Sequence, residues 1–419
     1  MILRLTIAFL KNRALTSVLT ILSIGLSVAL FVGTERLLIS ARESFNGTVS
    51  GAHLLVGARG GSVQLLLYSI FHIGNASNNV SFKSYEDIKK DPAFEWTIPI
   101  SLGDSHRGFR VVGTSESFYK NYRFREGRAV EFESGSAPVD LFDVAIGSDV
   151  ASKLQYKTGQ NVVISHGVSA QTIQRHEDKP FRISGILKKT GTPIDRSLYV
   201  SLEGMEALHI DWQSGAAPSS EEEIPAERVR KMKLKIGAIT AFLVRMKSPQ
   251  VLLRKQRAIN EYAAEPLTAL IPGYTLQELW SAVKYAEDAL RIVTYFIVLV
   301  GLSGMFLSIY TSLNERRREM SILRSLGARS VHIVFLLMTE AALLSAAGIA
   351  VGLGFFYGML IVFQPAMEAS SGIFIPVAAM SLREWMYVTV VFGCGLLTGA
   401  LPAIRAYRNA LIDGLSMRI

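Results

Sequence analysis

The sequence has one cysteine, Cys394, in 419 residues, which excludes a disulfide framework within one chain. It has no Gly-x-x-x-x-Gly-Lys-Ser/Thr phosphate loop, so these residues are not expected to hydrolyse ATP. The glycine turn at 57–61 does not run into a helix with a basic phosphate ligand and reads as a loop. Histidines are few and scattered: His53, His72, His106, His166, His176, His209 and His332. None is paired at the i, i+4 spacing of a helical metal site, so they read as surface or packing residues and no metal is expected. No Ser/His/Asp set has a recognisable nucleophile turn, so no catalytic residues are assigned. Charge is also scarce. Only 19% of residues are charged against 49% hydrophobic, and the mean hydropathy is +0.30.

The apolar excess is concentrated in four stretches, at about 14–38, 290–310, 331–363 and 387–404. Each approaches or exceeds the roughly 20 residues that cross a bilayer. The first is too long for a secretory leader, and no small-x-small cleavage site follows it cleanly, so it reads as an uncleaved anchor. Residues 2–12 before it read as a short amphipathic helix at the membrane surface.

Orientation follows from the basic residues. Segments 1–13, 313–332 and 405–419 together hold eleven Lys and Arg against three acids, a net +8 of the chain's +9. That bias puts both termini and the 313–332 loop inside. It also makes the basic balance a topology signal, not the basic face of a nucleic-acid-binding domain, and no nucleic acid is expected. About 250 residues between the first two spans are then outside.

In that outer region, 53–57, 97–100, 108–112 and 238–246 are strand-like. Residues 84–90 and 249–263 read as helices, and 274–279 as a further strand. Strand–helix–strand at each end suggests a split βαβ layer interrupted by an insertion at 114–230. The insertion reads as β-rich, with a strand running into a helix at 144–154 and strands at 161–165, 181–187 and 197–201. Residues 213–223 read as a polar surface loop.

Three features invite functional readings. The run 313–329 sits between two spans and carries Arg316, Arg317, Arg318, Arg324 and Arg329, with an apolar edge of Ile322, Leu323 and Leu326. An amphipathic cytoplasmic helix of this kind can receive a soluble partner and pass motion to both spans. Glu340 lies about nine residues into the third span, where a carboxylate is costly and faces protein or water. It reads either as a coupling or packing group or as a carboxylate reaching a rim arginine. Residues 63–73 are strongly apolar but too short to span. They read as buried core, as a membrane flap, or as a cargo-contacting lining through Leu65, Leu66, Leu67, Ile70 and Phe71. Nearby glycines and residues 75–79 would let the segment move.

The run from Glu315 through Gly327 to Arg329, with Glu340-Ala-Ala-Leu-Leu and the glycines of the following span, resembles the FtsX-like permease module of the MacB, LolC/LolE and FtsX group of ABC transporters. The tail Leu401-Pro-Ala-Ile-Arg-Ala-Tyr-Arg is similar to that group's last span. The outer region resembles the MacB-type periplasmic core domain through Gly127-Arg128, 145–154, Gly159-Gln160, 181–187 and 195–200.

The resemblance implies an α-helical membrane protein with four transmembrane helices and a large α+β periplasmic domain. The expected layout is a cytoplasmic helix at 1–13 and a first span with a periplasmic extension at 14–43. The periplasmic domain is expected at 44–285, with a porter-like layer at 44–113 and 231–285. Spans are expected at 286–312, 331–363 and 387–404, a coupling helix at 313–330, a periplasmic loop at 364–386 and a cytoplasmic tail at 405–419. The resemblance also implies a bacterial inner-membrane permease, non-catalytic itself, in a homo- or heterodimer bound to a dimer of separate ATPase subunits. That partner would bind ATP and Mg, and this chain would hold no cofactor. The ATPase contact maps onto Glu315, Arg316, Arg317, Arg318, Glu319, Ile322, Arg324, Leu326, Gly327 and Arg329. Cargo would be a lipoprotein, an amphiphile or a peptide. The alternative is an FtsX-like signalling permease controlling a periplasmic enzyme. A membrane-anchored receptor without an ATPase is the third reading.

Overall fold

The computed structural model describes residues 2–125, 127–166, 178–211, 224–315, 322, 325, 327–371, 375 and 377–413. Helices α1 (Ile2–Asn12) and α2 (Ala14–Asn46) are followed by β1 (Leu54–Ala58), α3 (Ser62–Ile70), β2 (Val80–Ser81), α4 (Phe82–Lys89), β3 (Phe94–His106) and β4 (Phe109–Thr114). Next come α5 (Glu116–Asn121), β5 (Arg123–Phe124), β6 (Arg128–Ala129), β7 (Phe132–Gly135), β8 (Asp143–Ile146), α6 (Ser148–Leu154), β9 (Asn161–Val162), β10 (Ser165–His166) and β11 (Phe181–Leu187). The outer region closes with β12 (Ser197–Ser201), α7 (Leu202–His209), α8 (Ala226–Val229), β13 (Ala238–Ile239), β14 (Ala241–Met246), α9 (Leu252–Asn260) and β15 (Leu267–Leu270). Three long helices end the chain: α10 (Pro272–Glu315), α11 (Ser330–Ser371) and α12 (Leu382–Asp413).

The chain divides into two compact units. One holds the described residues of 1–41, 284–370 and 374–419, the other residues 42–283. The first is helical. Segments Ala14–Glu43, Pro272–Thr311, Val331–Met367 and Leu382–Arg405 are long and apolar enough to cross a membrane. Glycine lets two of these helices approach closely. A Cβ on Gly25 of α2 would lie 3.1 Å from the Gly348 carbonyl oxygen of α11, and one on Gly348 would lie 2.7 Å from Ile24. Small residues at such crossings allow the backbone contact that replaces the hydrophobic effect in lipid. Around them Ile24, Val28, Met305, Ile309, Leu337 and Leu344 form the bundle core. The last helices are longer than expected. α11 continues through Pro365 to Ser371, and α12 begins at Leu382 rather than near 387.

The second unit is built on one sheet, ordered β15-β1-β14-β3-β4-β12-β8-β11-β7, with β10 also on β3 and β9 on β11. Strands β1 and β8 are buried along their whole length because both sheet faces are covered. Leu55 and Leu243 point into one core, while their neighbours Leu54, Val56, Phe242 and Val244 point into another. The same alternation runs through the inserted strands. Val112, Ala145 and Tyr199 join the first core, whereas Val111, Val144, Ile146, Leu198 and Val200 form a third. One sheet face thus carries a continuous core and the other carries two separate ones. The insertion has its own core, yet its strands extend the common sheet, β12 pairing parallel to β4.

One expectation is corrected, and one open reading is decided. The strand expected at 274–279 is helix. Pro272 opens α10, as suits a residue without an N–H in the first turn, and the pairing role falls to β15, antiparallel to β1. The 63–73 segment is also largely core, with Ser62–Ile70 forming α3. Leu65, Leu66, Ile70 and Phe71 are 1%, 0%, 5% and 7% exposed and fill the continuous core; only Leu67 is partly open. Gly57 makes room for this helix, since a Cβ there would strike the Leu65 side chain. The segment is apolar because it covers a sheet face, and those four side chains have no free surface for cargo or membrane. The loop expected at 213–223 lies outside the described residues.

Candidate coupling and binding sites

Most of the expected ATPase contact lies outside the described residues: Arg316, Arg317, Arg318, Glu319, Arg324 and Leu326. Glu315 is the last residue of α10. Ile322 is an apolar side chain that is 53% exposed. Gly327 has φ +92°, a left-handed conformation that glycine adopts without steric cost. Arg329 follows, exposed, its N–H donating to His332 Nδ1 at 3.0 Å just before α11. The segment is therefore set off from α11 by a sharp turn. Glu340 is 4% exposed, so its side chain is packed against protein and not open to solvent or lipid.

The structure adds a cluster that sequence reading passed over. Near the end of α2 that leads to the outer domain, Arg36 Nε donates to Glu384 Oε1 at 2.6 Å and Nη2 donates to Oε2 at 3.1 Å. Their side chains are only 9% and 2% exposed. Arg36 Nη2 also donates to the Tyr357 hydroxyl at 3.2 Å and to the Ala379 carbonyl at 3.0 Å. The Ser381 N–H donates to Glu384 Oε2 at 2.6 Å. One guanidinium thus ties α2 to α11 and α12, in the paired geometry that planar donors suit. The preceding residue reaches the remaining long helix: Arg291 Nη2 of α10 donates to Glu35 Oε1 at 3.4 Å, with Arg291 39% exposed. Opposite charges at the ends of apolar runs were the available signal, but which pair meets depends on packing.

α2 and α10 both carry their ends into the core of the outer domain. Phe45 of α2 stacks on Phe71 at 4.7 Å and meets Trp280 of α10 edge-on at 5.6 Å. Trp280 Nε1 donates to Asn46 Oδ1 at 3.3 Å, and Leu276 is buried in the same core. Phe71, a candidate for core, membrane or cargo contact by sequence, is where both helix ends pack.

Two cavities open in this domain. One of about 520 Å³ has aromatic walls from Phe82, Tyr85 and Trp96 and carboxylates at Glu86 and Glu203. The other, about 250 Å³, is lined by Gly74, Asn75, Asn79, Gly103 and Arg110. The His72 imidazole beside it is partly buried. Burial pushes its pKa down to about 4, and the Arg110 charge adds to that. His209 behaves oppositely. Burial alone would lower its pKa, but the hydrogen bond and charge of Asp104 outweigh this and raise it. Among the described residues no group of three His, Cys, Asp or Glu is placed to hold a metal ion.

Residues 17–251 match the MacB-like periplasmic core domain, and residues 291–411 match the FtsX-like permease C-terminal region. The chain is 27% identical over 185 residues to the macrolide export ATP-binding/permease protein MacB of Chromobacterium violaceum, covering 42% of this chain and 27% of that protein. It is 29% identical over 131 residues to the protein of the same name from Photorhabdus laumondii, covering 30% and 19%. Both matches span less than a third of the relative's own length. Among solved structures, the periplasmic region of MacB from Actinobacillus actinomycetemcomitans aligns over 55% of this chain and 94% of that chain, at 11% identity and a TM-score of 0.33. The extracellular domain of the noncanonic ABC-type transporter YknZ from Gram-positive bacteria aligns over 52% and 99%, at 9% identity and a TM-score of 0.31. With its outer domain and its membrane helices both matched, the first over more than half of the chain, this protein belongs to the MacB/FtsX-like family of ABC transporter permeases.

Proposed function

We propose that the chain is the permease subunit of an inner-membrane ABC transporter that works by mechanotransmission. ATP and Mg are bound by an ATPase partner, since these residues contain no phosphate loop. The ATPase docks on the segment around Glu315–Arg329, and a second permease subunit completes the pair. Cargo is a lipoprotein, amphiphile or peptide taken up on the outer side, and the aromatic and acidic cleft at Tyr85, Trp96 and Glu203 has a lining suited to an amphiphile.

The observation that carries this reading is the joint at Phe45, Phe71 and Trp280. Two membrane-length helices, one on each side of the outer domain in sequence, end in the same hydrophobic core. Movement of either helix would strain that core directly. The Arg36–Glu384 pair supports the same reading, because α2, α11 and α12 would move together.

The test is co-purification of an ATPase with the full chain, followed by stimulation of its activity. Leu326→Glu places a charge on the apolar edge of the docking segment, where losing a buried contact costs about 2 kcal/mol or more. It is expected to release the ATPase more completely than Arg317→Ala, a rim change. Wild-type recovery in Leu326→Glu would defeat the docking assignment. Stimulation by a soluble protein and by no lipoprotein, amphiphile or peptide would favour signalling over transport.

A further inference from the structure

Arg110 is a guanidinium whose hydrogen-bond acceptors are neutral groups. It sits on β4 and reaches under the loop that follows α3. Its Nη2 donates to the Gly74 carbonyl at 2.5 Å and to Asn75 Oδ1 at 2.7 Å, both neutral acceptors. Its Nε is buried and has no acceptor among the described residues. Burial lowers its pKa with no carboxylate acting against it. The neighbouring His72 is held neutral, so the site's positive charge is that of Arg110 alone. Arg110 is half-buried and has no carboxylate partner among the described residues, and a cation drawn partly out of water is ordinarily paired.

The space beside Arg110 is built to hold something small. The cavity of about 250 Å³ is below the roughly 300–1,000 Å³ typical of drug-sized ligands. With its Oδ1 turned to Arg110, Asn75 keeps an amide NH₂ to donate, and Asn79 lines the same space. Gly74 and Gly103 leave it open, since a Cβ on either would meet no atom within 4 Å. Ser197 Oγ lies 2.9 Å from His72 Nδ1, which fixes the loop to β12. These groups are donors around one fixed cation, the arrangement that recognises oxyanions.

We propose that this pocket binds a small oxyanion, a phosphate or carboxylate group, with Arg110 as its charged partner. The group could be carried by a soluble metabolite or by a lipid headgroup, and the two sources share this chemistry.

The test is a binding titration on the full chain in dodecyl maltoside micelles, with no ATPase present, so the result is independent of the transport reading. The probes are inorganic phosphate, acetate, glycerol 1-phosphate and a short-chain phosphatidylglycerol. At least one is expected to bind saturably, and about tenfold or more weakly in Arg110→Gln, as fits loss of a charged hydrogen-bond partner. Gly103→Asp adds a carboxylate facing the open space and is expected to abolish binding without lowering the melting temperature. Arg110-dependent binding of the lipid alone would identify a headgroup source, and binding of the soluble anions a soluble one. Either supports the site. No saturable binding of any probe, or equal binding in Arg110→Gln and Gly103→Asp, would overturn it.

Discussion

Removing one partner of the Arg36–Glu384 pair should destabilise the bundle more than removing both. The pair makes two charge-assisted hydrogen bonds, at 2.6 and 3.1 Å, between side chains that are 9% and 2% exposed. Unit charges about 4 Å apart at an effective dielectric constant near 20 attract by about 4 kcal/mol. Losing that attraction leaves the surviving charge buried, and breaking such a pair typically costs about 3–5 kcal/mol. Glu384→Met would take the carboxylate from Arg36, whose other acceptors include the neutral Tyr357 hydroxyl and Ala379 carbonyl. Arg36→Met would strand Glu384 with the Ser381 N–H. The double variant removes both charges and both desolvation costs. It forfeits mainly the hydrogen bonds to Tyr357, Ala379 and Ser381, at about 1 kcal/mol each. The expected pattern is two large single effects and a double effect smaller than either. Unfolding of the full chain in one fixed micelle composition, run as a double-mutant cycle, measures it. A double variant that costs the sum of the singles would refute the argument, since the two groups would then be independent.

Other outcomes follow from the same geometry. Phe71→Ala should cost about 3–5 kcal/mol in chemical unfolding and uncouple the outer domain from the helix ends, whereas Leu67→Ala should cost far less; equal effects would contradict the buried joint. His72 should make the outer domain acid-sensitive. Its folded pKa of about 4 lies below the unfolded 6.5, so its share of stability is complete above 6.5 and is lost as pH falls toward 4, about 3 kcal/mol in all. His72→Asn, which tolerates the φ of +56°, should flatten that slope in pH-dependent melting. His209 has the opposite sign, its share being full below 6.5 and lost as pH rises through its raised pKa. In a Cys394→Ser background, Val139→Cys, 91% exposed, should react with an impermeant thiol reagent in spheroplasts and Ser325→Cys should not; the reverse would overturn the topology.

The division between what sequence and structure each decide is physical. Long apolar runs act through solvation alone, so four helices long enough to span were readable without coordinates. Strands β1, β4, β8, β11, β12 and β14 were readable because β-branched and apolar residues cluster between turns. The apolar segment at 63–73 was visible, but its purpose was not. Burial under a sheet and burial in a membrane demand the same composition, and only packing shows Leu65, Leu66 and Phe71 closing a core. The strand at 267–270 was misplaced to 274–279 because short apolar runs do not distinguish helix from strand. Sequence by itself determined the family, the membrane-spanning character and the absence of an ATP-hydrolysing loop in these residues. Tertiary structure alone decided that Arg36 meets Glu384 across 348 positions, that Phe45, Phe71 and Trp280 form one joint, and that Arg110 lines a cavity with no carboxylate partner among the described residues. Each of these depends on distance between residues far apart in sequence, which composition and periodicity do not carry.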